Sequence, residues 1–258
     1  MLTEKQITYF HTFGFLVIRQ AFEKNEVNEL IKQVDDAFLK KQPPQDKDSF
    51  WVGDFIEDNP GFIKLVEDDR IYLVMKDLLG HNFIWRGAEG MGGIDHNLVN
   101  HSWHFDGHKG SQSLDYLRTK VMLYLDPQQK STGALRVIPG SHRDPFHEAL
   151  MPLQEAHLKE ESNCFGVTGR LIPGKPIETE PGDVVIFNQW LYHGAFDKLG
   201  KRRVIVLKFG PHPEKEEHFS TLLDGAPNLF DVNQSFRRSS SPRVQKLVDA
   251  IDTLKGIL

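Results

Sequence analysis

Cys164 is the chain's only cysteine, so neither an internal disulfide nor a thiolate zinc cluster is available to it. Long apolar runs are missing too: nothing approaches the roughly 20 residues that cross a bilayer. The opening MLTEKQITYF has neither the basic nor the apolar stretch of a signal peptide, and a reducing cytoplasm is the expected setting. Neither charge is in surplus. Lys and Arg number 31 against 36 Asp and Glu, and a formal net charge of −5 gives nucleic acid or an anionic membrane no electrostatic reason to bind. Internal repeats, low-complexity segments and linkers are also absent. What is present is ordinary: 258 residues, 39% hydrophobic and 26% charged, suit one domain over 1–258 with a small-molecule substrate as partner.

Local patterns divide that domain. Thr3-Glu4-Lys5-Gln6 has the form of a capping box, and a short helix should run from it until Gly14. Phe15 to Ile18 reads as a buried strand, and Val27, Leu30, Ile31, Val34 and Phe38 form the stripe of a helix that covers a sheet. This makes a helical cover of about 1–50. Over about 82–210 the texture becomes short β-rich runs, at 121–125, 135–138, 184–187 and 204–209, the pattern of a sandwich or barrel. Ser141 to Pro176 lacks strand periodicity and is expected to act as a lid or binding loop. Within 211–258, Ser241-Pro242 caps a helix with Val244, Leu247, Val248, Ile251 and Leu254 on one face. RRSSSPR at 237–243 is expected as a surface loop.

The chemistry concentrates in HSWHFDGH at 101–108. In extended backbone, residues two apart point to the same side, so His104 and Asp106 can offer an imidazole nitrogen and a carboxylate oxygen to one ion. A second imidazole from a distant strand would complete two histidines and one carboxylate. That set leaves three adjacent coordination positions open, which suits Fe(II) reacting with O2 beside a bidentate co-substrate. The candidate is His193, which follows the turn Pro181-Gly182-Asp183 and the buried run 184–187. Were the co-substrate 2-oxoglutarate, its far carboxylate would need a fixed cation, best supplied by arginine.

These pieces resemble the phytanoyl-CoA dioxygenase family of Fe(II)/2-oxoglutarate oxygenases. LTEKQITYFHTFGFLVI, WHFD, TGALRVIPGSH at 132–142, PGDVVIF at 181–187, and His193 followed by Arg202 occur in the family's order across residues 3–209. The resemblance implies a mainly β fold with flanking helices: a double-stranded β-helix, jelly-roll-like, covered by N-terminal and C-terminal helices. It implies Fe(II) held by His104, Asp106 and His193, with 2-oxoglutarate and O2 as co-substrates and Arg202 clamping the distal carboxylate. Arg203 competes for that last role, since strand alternation admits only one of the pair into the barrel. Tyr124 either adds its hydroxyl to the same carboxylate or is a core tyrosine. Hydroxylation with release of succinate and CO2 is the implied outcome. Halogenating relatives carry a small residue where Asp106 stands, so halogenation is not expected.

Other motifs take plainer readings. His142-Arg-Asp144 repeats the dyad spacing, but it follows a Pro-Gly-Ser turn and is expected to be structural. His101 and His108 are expected as solvated loop residues. GAEGMGG at 87–93 has no helix following it and reads as a flexible loop. Trp103 and Trp190 either wall the pocket or simply pack. Two other functions share the barrel shape: a metal- or ligand-binding protein without turnover, and a zinc or manganese enzyme of hydrolysis or isomerisation. The arginine after His193 weighs against both.

Overall fold

The computed structural model describes residues 1–41, 49–107, 113–224, 226 and 228–256. Its strands are β1 (Phe15–Ile18), β2 (Ser49–Gly53), β3 (Ile84–His104), β4 (Thr119–Tyr124), β5 (Leu135–Val137), β6 (Asn163–Cys164), β7 (Val167–Thr168), β8 (Lys175–Ile177), β9 (Val184–Asn188), β10 (His193–Lys201) and β11 (Val204–Gly210). Its helices are α1 (Glu4–Phe13), α2 (Lys24–Lys41), α3 (Ile63–Glu67), α4 (Asp69–Leu79), α5 (Phe146–Ala149), α6 (Met151–Leu158), α7 (Glu216–Leu223), α8 (Gln234–Arg237) and α9 (Pro242–Lys255). The strands lie in the order β1-β9-β4-β11-β3-β10-β5-β8, with β2 added on β3. All pairings are antiparallel, and the long β3 belongs to both halves: its first part pairs β11 and its last part pairs β10. This is the double-stranded β-helix that the sequence implied.

The strands read as largely apolar runs because both of their faces are covered. Val121, Leu123, Val184, Ile186, Ile205 and Leu207 face the helical layer, where they join the apolar stripes of α2, α4 and α9. Met122, Tyr124, Val185, Phe187, Val204 and Val206 alternate with them and face the barrel interior. Burial of each such side chain contributes about 1.5–3 kcal/mol. The capping box at Thr3 is present, and Gly14 ends α1 in the left-handed region at φ 80°. Ser241 caps α9, whose five expected apolar residues are all buried. Two of the three basic residues of 237–243 serve the fold: Arg237 holds Asp252 with two hydrogen bonds of 2.8 Å, and Arg243 holds Asp69.

Residues 87–93 depart from the sequence reading. They form no loop but the middle of β3. Glycine is needed there for close packing, since a Cβ on Gly90 or Gly92 would overlap the rings of Phe55 or Phe38. Gly93, at φ 125°, lies where β3 passes from one half of the barrel to the other. The register of β10 on β3 also shifts, between His193 and Ala195, between Ala195 and Lys198, and between Lys198 and Gly200.

The Pro181-Gly182-Asp183 turn fastens the N-terminal cover to the barrel. Gly182 donates to the carbonyl of Tyr124 and accepts from the amide of Phe22, while the Asp183 carboxylate accepts from Gln20 N, Glu180 N and Arg19 Nη1. Gly182 has φ 95°, and a Cβ on it would overlap the Phe22 carbonyl. Gly182→Ala should therefore cost about 2–5 kcal/mol, combining left-handed strain with a backbone clash. Urea denaturation measures it; a loss under 1 kcal/mol would contradict this account.

Ser141 to Pro176 folds as α5, α6 and the β6–β7 hairpin, with α6 against β3. His142 sits in the turn as expected, its ring Nε2 donating to the His11 carbonyl at 3.1 Å. No helix of the described residues is long and apolar enough to cross a membrane.

Candidate active site

Strand pairing makes the first contact. His193, the first residue of β10, is the register partner of His104, the last residue of β3, and the ring centroids lie 4.2 Å apart. Asp106 lies just beyond the end of β3, so strand alternation alone does not aim it. Its amide donates to the Gln189 carbonyl at 2.8 Å, and its carbonyl accepts from Arg118 Nη2 at 2.6 Å. Arg118 is itself held by Asp224 and lies over the Trp190 ring. The outcome is that His104 Nε2 stands 4.0 Å from Asp106 Oδ1 and His193 Nε2 stands 3.8 Å from Asp106 Oδ2. One nitrogen or oxygen from each of the three lies within 4.8 Å of the others, so the group can hold a metal ion.

The chemistry of the donors fits a divalent metal. His104 Nδ1 donates to the Ser102 carbonyl at 2.8 Å and His193 Nδ1 donates to the Leu191 carbonyl at 2.9 Å. Each bond fixes the tautomer that leaves the Nε2 lone pair directed at the other residues of the group. Burial holds His104 well below the ordinary histidine range and lowers His193 to about 4, so both rings are neutral near pH 7, the form that can bind a metal. Burial pushes the Asp106 carboxyl up, but the Lys120 ammonium, with smaller contributions from the two histidines, outweighs it and keeps the group ionised.

These residues line a cavity of about 350 Å³ that also takes in Trp51, Glu89, Met122, Tyr124, Phe187 and Arg202. The paired arginines separate cleanly. Arg202 is 4% exposed and lines the cavity, with Nη2 donating to the carbonyls of Thr132 and Gly133 and Nε facing Asp95 at 3.8 Å without a hydrogen bond. Arg203 points outward, bonded twice to Asp126 and once to Asp35 of α2. Tyr124 lines the same cavity; its hydroxyl contacts Met122 Sδ at 3.7 Å, and burial raises it to about 12.

Other expectations are corrected here. His101 is exposed, as expected, but it belongs to no loop: it sits on β3, lines the cavity and brings Nε2 to 3.3 Å from His104 Nε2. His108 lies outside the described residues. Trp103 and Trp190 pack away from the cavity, donating to the carbonyls of Gly169 and Tyr116, and the tryptophan on the cavity wall is Trp51. His157 of α6 stacks on His104 at 4.6 Å and bonds Ser102 Oγ at 2.7 Å, so the 141–176 segment reaches the site. Lys120 escaped the sequence reading, although a charged residue inside the apolar run TKVMLY was a visible signal.

A sequence search among curated proteins finds no match. Among solved structures, the fold resembles HygX from Streptomyces hygroscopicus with nickel and 2-oxoglutarate bound, at 23% identity over 81% of this chain and 87% of that chain, with a TM-score of 0.63. EctD from S. alaskensis in its apoform is similar at 21% identity over 84% of this chain and 80% of that one, with a TM-score of 0.63. SnoN, an epimerase of nogalamycin biosynthesis described as non-heme and alpha-ketoglutarate dependent, shares 14% identity over 81% and 82% of the two chains, with a TM-score of 0.60. The phytanoyl-CoA dioxygenase family model matches residues 10–204, a span that contains every residue of the site described above. The chain therefore belongs to the phytanoyl-CoA dioxygenase family, and with it to the 2-oxoglutarate-dependent non-haem iron oxygenases.

Proposed function

We propose that the protein hydroxylates a C–H bond of a small molecule while 2-oxoglutarate is converted to succinate and CO2. His104, Asp106 and His193 hold the iron, and Arg202 binds the distal carboxylate of 2-oxoglutarate. The observation that carries this reading is the meeting of two tautomer-fixed imidazoles and one carboxylate in a cavity that also contains a buried guanidinium. When bound, the iron would activate O2, the oxidant, with one oxygen atom going to succinate as 2-oxoglutarate loses CO2 and the other to the substrate. The chain supplies the rest. Arg202 offers to a carboxylate the guanidinium charge and the Nη1 donors that its bonds to the Thr132 and Gly133 carbonyls leave over, and Tyr124 adds a hydroxyl donor beside it. Met122, Leu135 and Phe187 exclude water from the reacting region.

A second hollow of about 470 Å³ shares Gly53 and Glu89 with the first, which leaves room for a substrate beyond the co-substrate. Structures of HygX with hygromycin B and of EctD with 5-hydroxyectoine support a small-molecule substrate for this chain as well. The test is anaerobic addition of Fe(II) and 2-oxoglutarate. A weak visible charge-transfer band that disappears on adding oxygen is expected, and a panel of small molecules is then ranked by stimulated succinate formation. Metal binding with no such band would sink the oxygenase reading in favour of a non-oxidative metal site.

A further inference from the structure

Lys120 is the charged residue of a strand whose six residues are all buried, and its own exposure is 8%. Burying an ammonium costs several kcal/mol unless a partner offsets it. An aliphatic residue, like those that follow it in β4, would fill the position without that cost. Its Nζ lies 2.7 Å from Asp106 Oδ2, an ion pair rather than an aligned hydrogen bond. Directly opposite on β11 stands Lys208, a like charge across the ladder. Lys208 bonds Glu89 at 2.8 Å, which leaves Lys120 to Asp106.

The placement matters because a carboxylate has two oxygens. If both bound the metal, Asp106 would fill an extra position, leaving two open where a bidentate co-substrate and O2 need three. We propose that Lys120 is a positioning residue: by occupying Oδ2 of Asp106 it confines the carboxylate to one-oxygen coordination and keeps the third position free. This rests on the iron and 2-oxoglutarate reading above. Lys120 is no metal ligand here, and its removal also takes a positive charge away from a bound divalent ion.

Two variants test it, Lys120→Met, which fills the space without a donor, and Lys120→Gln, which restores an N–H donor. Co(II) serves as the spectroscopic metal, and anaerobic Fe(II) reports 2-oxoglutarate affinity. Lys120→Met should bind Co(II) at least as tightly as the wild type, with an altered visible spectrum, yet bind 2-oxoglutarate about tenfold or more weakly. Lys120→Gln should return both properties most of the way to wild type. A methionine variant that melts earlier but keeps the wild-type Co(II) spectrum and 2-oxoglutarate affinity overturns the proposal, leaving a merely structural ion pair. If the methionine variant does not fold, a structure of the wild-type chain with Fe(II) and 2-oxoglutarate decides the point. Oδ2 on Lys120 and off the iron supports the proposal, and both oxygens on iron overturn it. A wild-type chain that binds neither metal nor 2-oxoglutarate removes the oxygenase reading itself and this proposal with it, an outcome distinct from a failure of Lys120 alone.

Discussion

Asp106→Ala should abolish oxidation of the prime substrate, with succinate formation falling to background. Two effects act together. The change removes the anionic member of the proposed ligand group, leaving two neutral imidazoles with no charge to match a divalent ion. It also strands the Lys120 ammonium, which is buried and loses its 2.7 Å partner. Breaking a buried pair from one side costs about 3–5 kcal/mol, so the variant should melt early as well as bind iron poorly. Asp106→Asn separates the two effects, because it keeps the shape of the side chain but not its charge. Fe(II) titration, thermal melting and succinate assay on both variants give the comparison, and an Asp106→Ala enzyme with unimpaired turnover would contradict the ligand assignment.

Arg202→Leu and Arg203→Leu should fail in opposite ways. The first removes the cavity guanidinium, and losing one partner of a buried charge-assisted contact costs 2–5 kcal/mol or more. The KM for 2-oxoglutarate should then rise by about 100-fold, while metal binding stays near wild type. The second leaves the cavity intact but frees Asp126 and Asp35, so it should lower stability by about 3 kcal/mol with little change in that KM. Steady-state kinetics and urea denaturation read both, and the reverse pattern would move the clamp from 202 to 203.

Much of this site was legible in the chain, and the reasons differ residue by residue. The strands around Val121, Val184 and Val204 announced themselves because burial on both faces leaves few polar positions in them. Alternation allowed one of Arg202 and Arg203 into the barrel without saying which; the Asp126 and Asp35 carboxylates, far away in sequence, hold Arg203 on the other side. His104 and Asp106 were found by spacing, but the spacing argument was incomplete, since Asp106 is aimed by Gln189 and Arg118 rather than by a strand. Residues 87–93 misled for a clear reason. Glycine usually marks a loop, and here it marks the closeness of Phe38 and Phe55, which only the folded chain brings to β3.

The slips of register along β10 have a further consequence. His193 is anchored against β3 and β5 at one end of the strand, and the irregular stretch begins only after it. Residues gained or lost between 195 and 200 would be absorbed there as a larger or smaller kink, leaving the imidazole pair undisturbed. The count of residues separating histidine from arginine is thus a poor ruler for the width of the chamber, and drift in that count during divergence need not alter what the chamber holds.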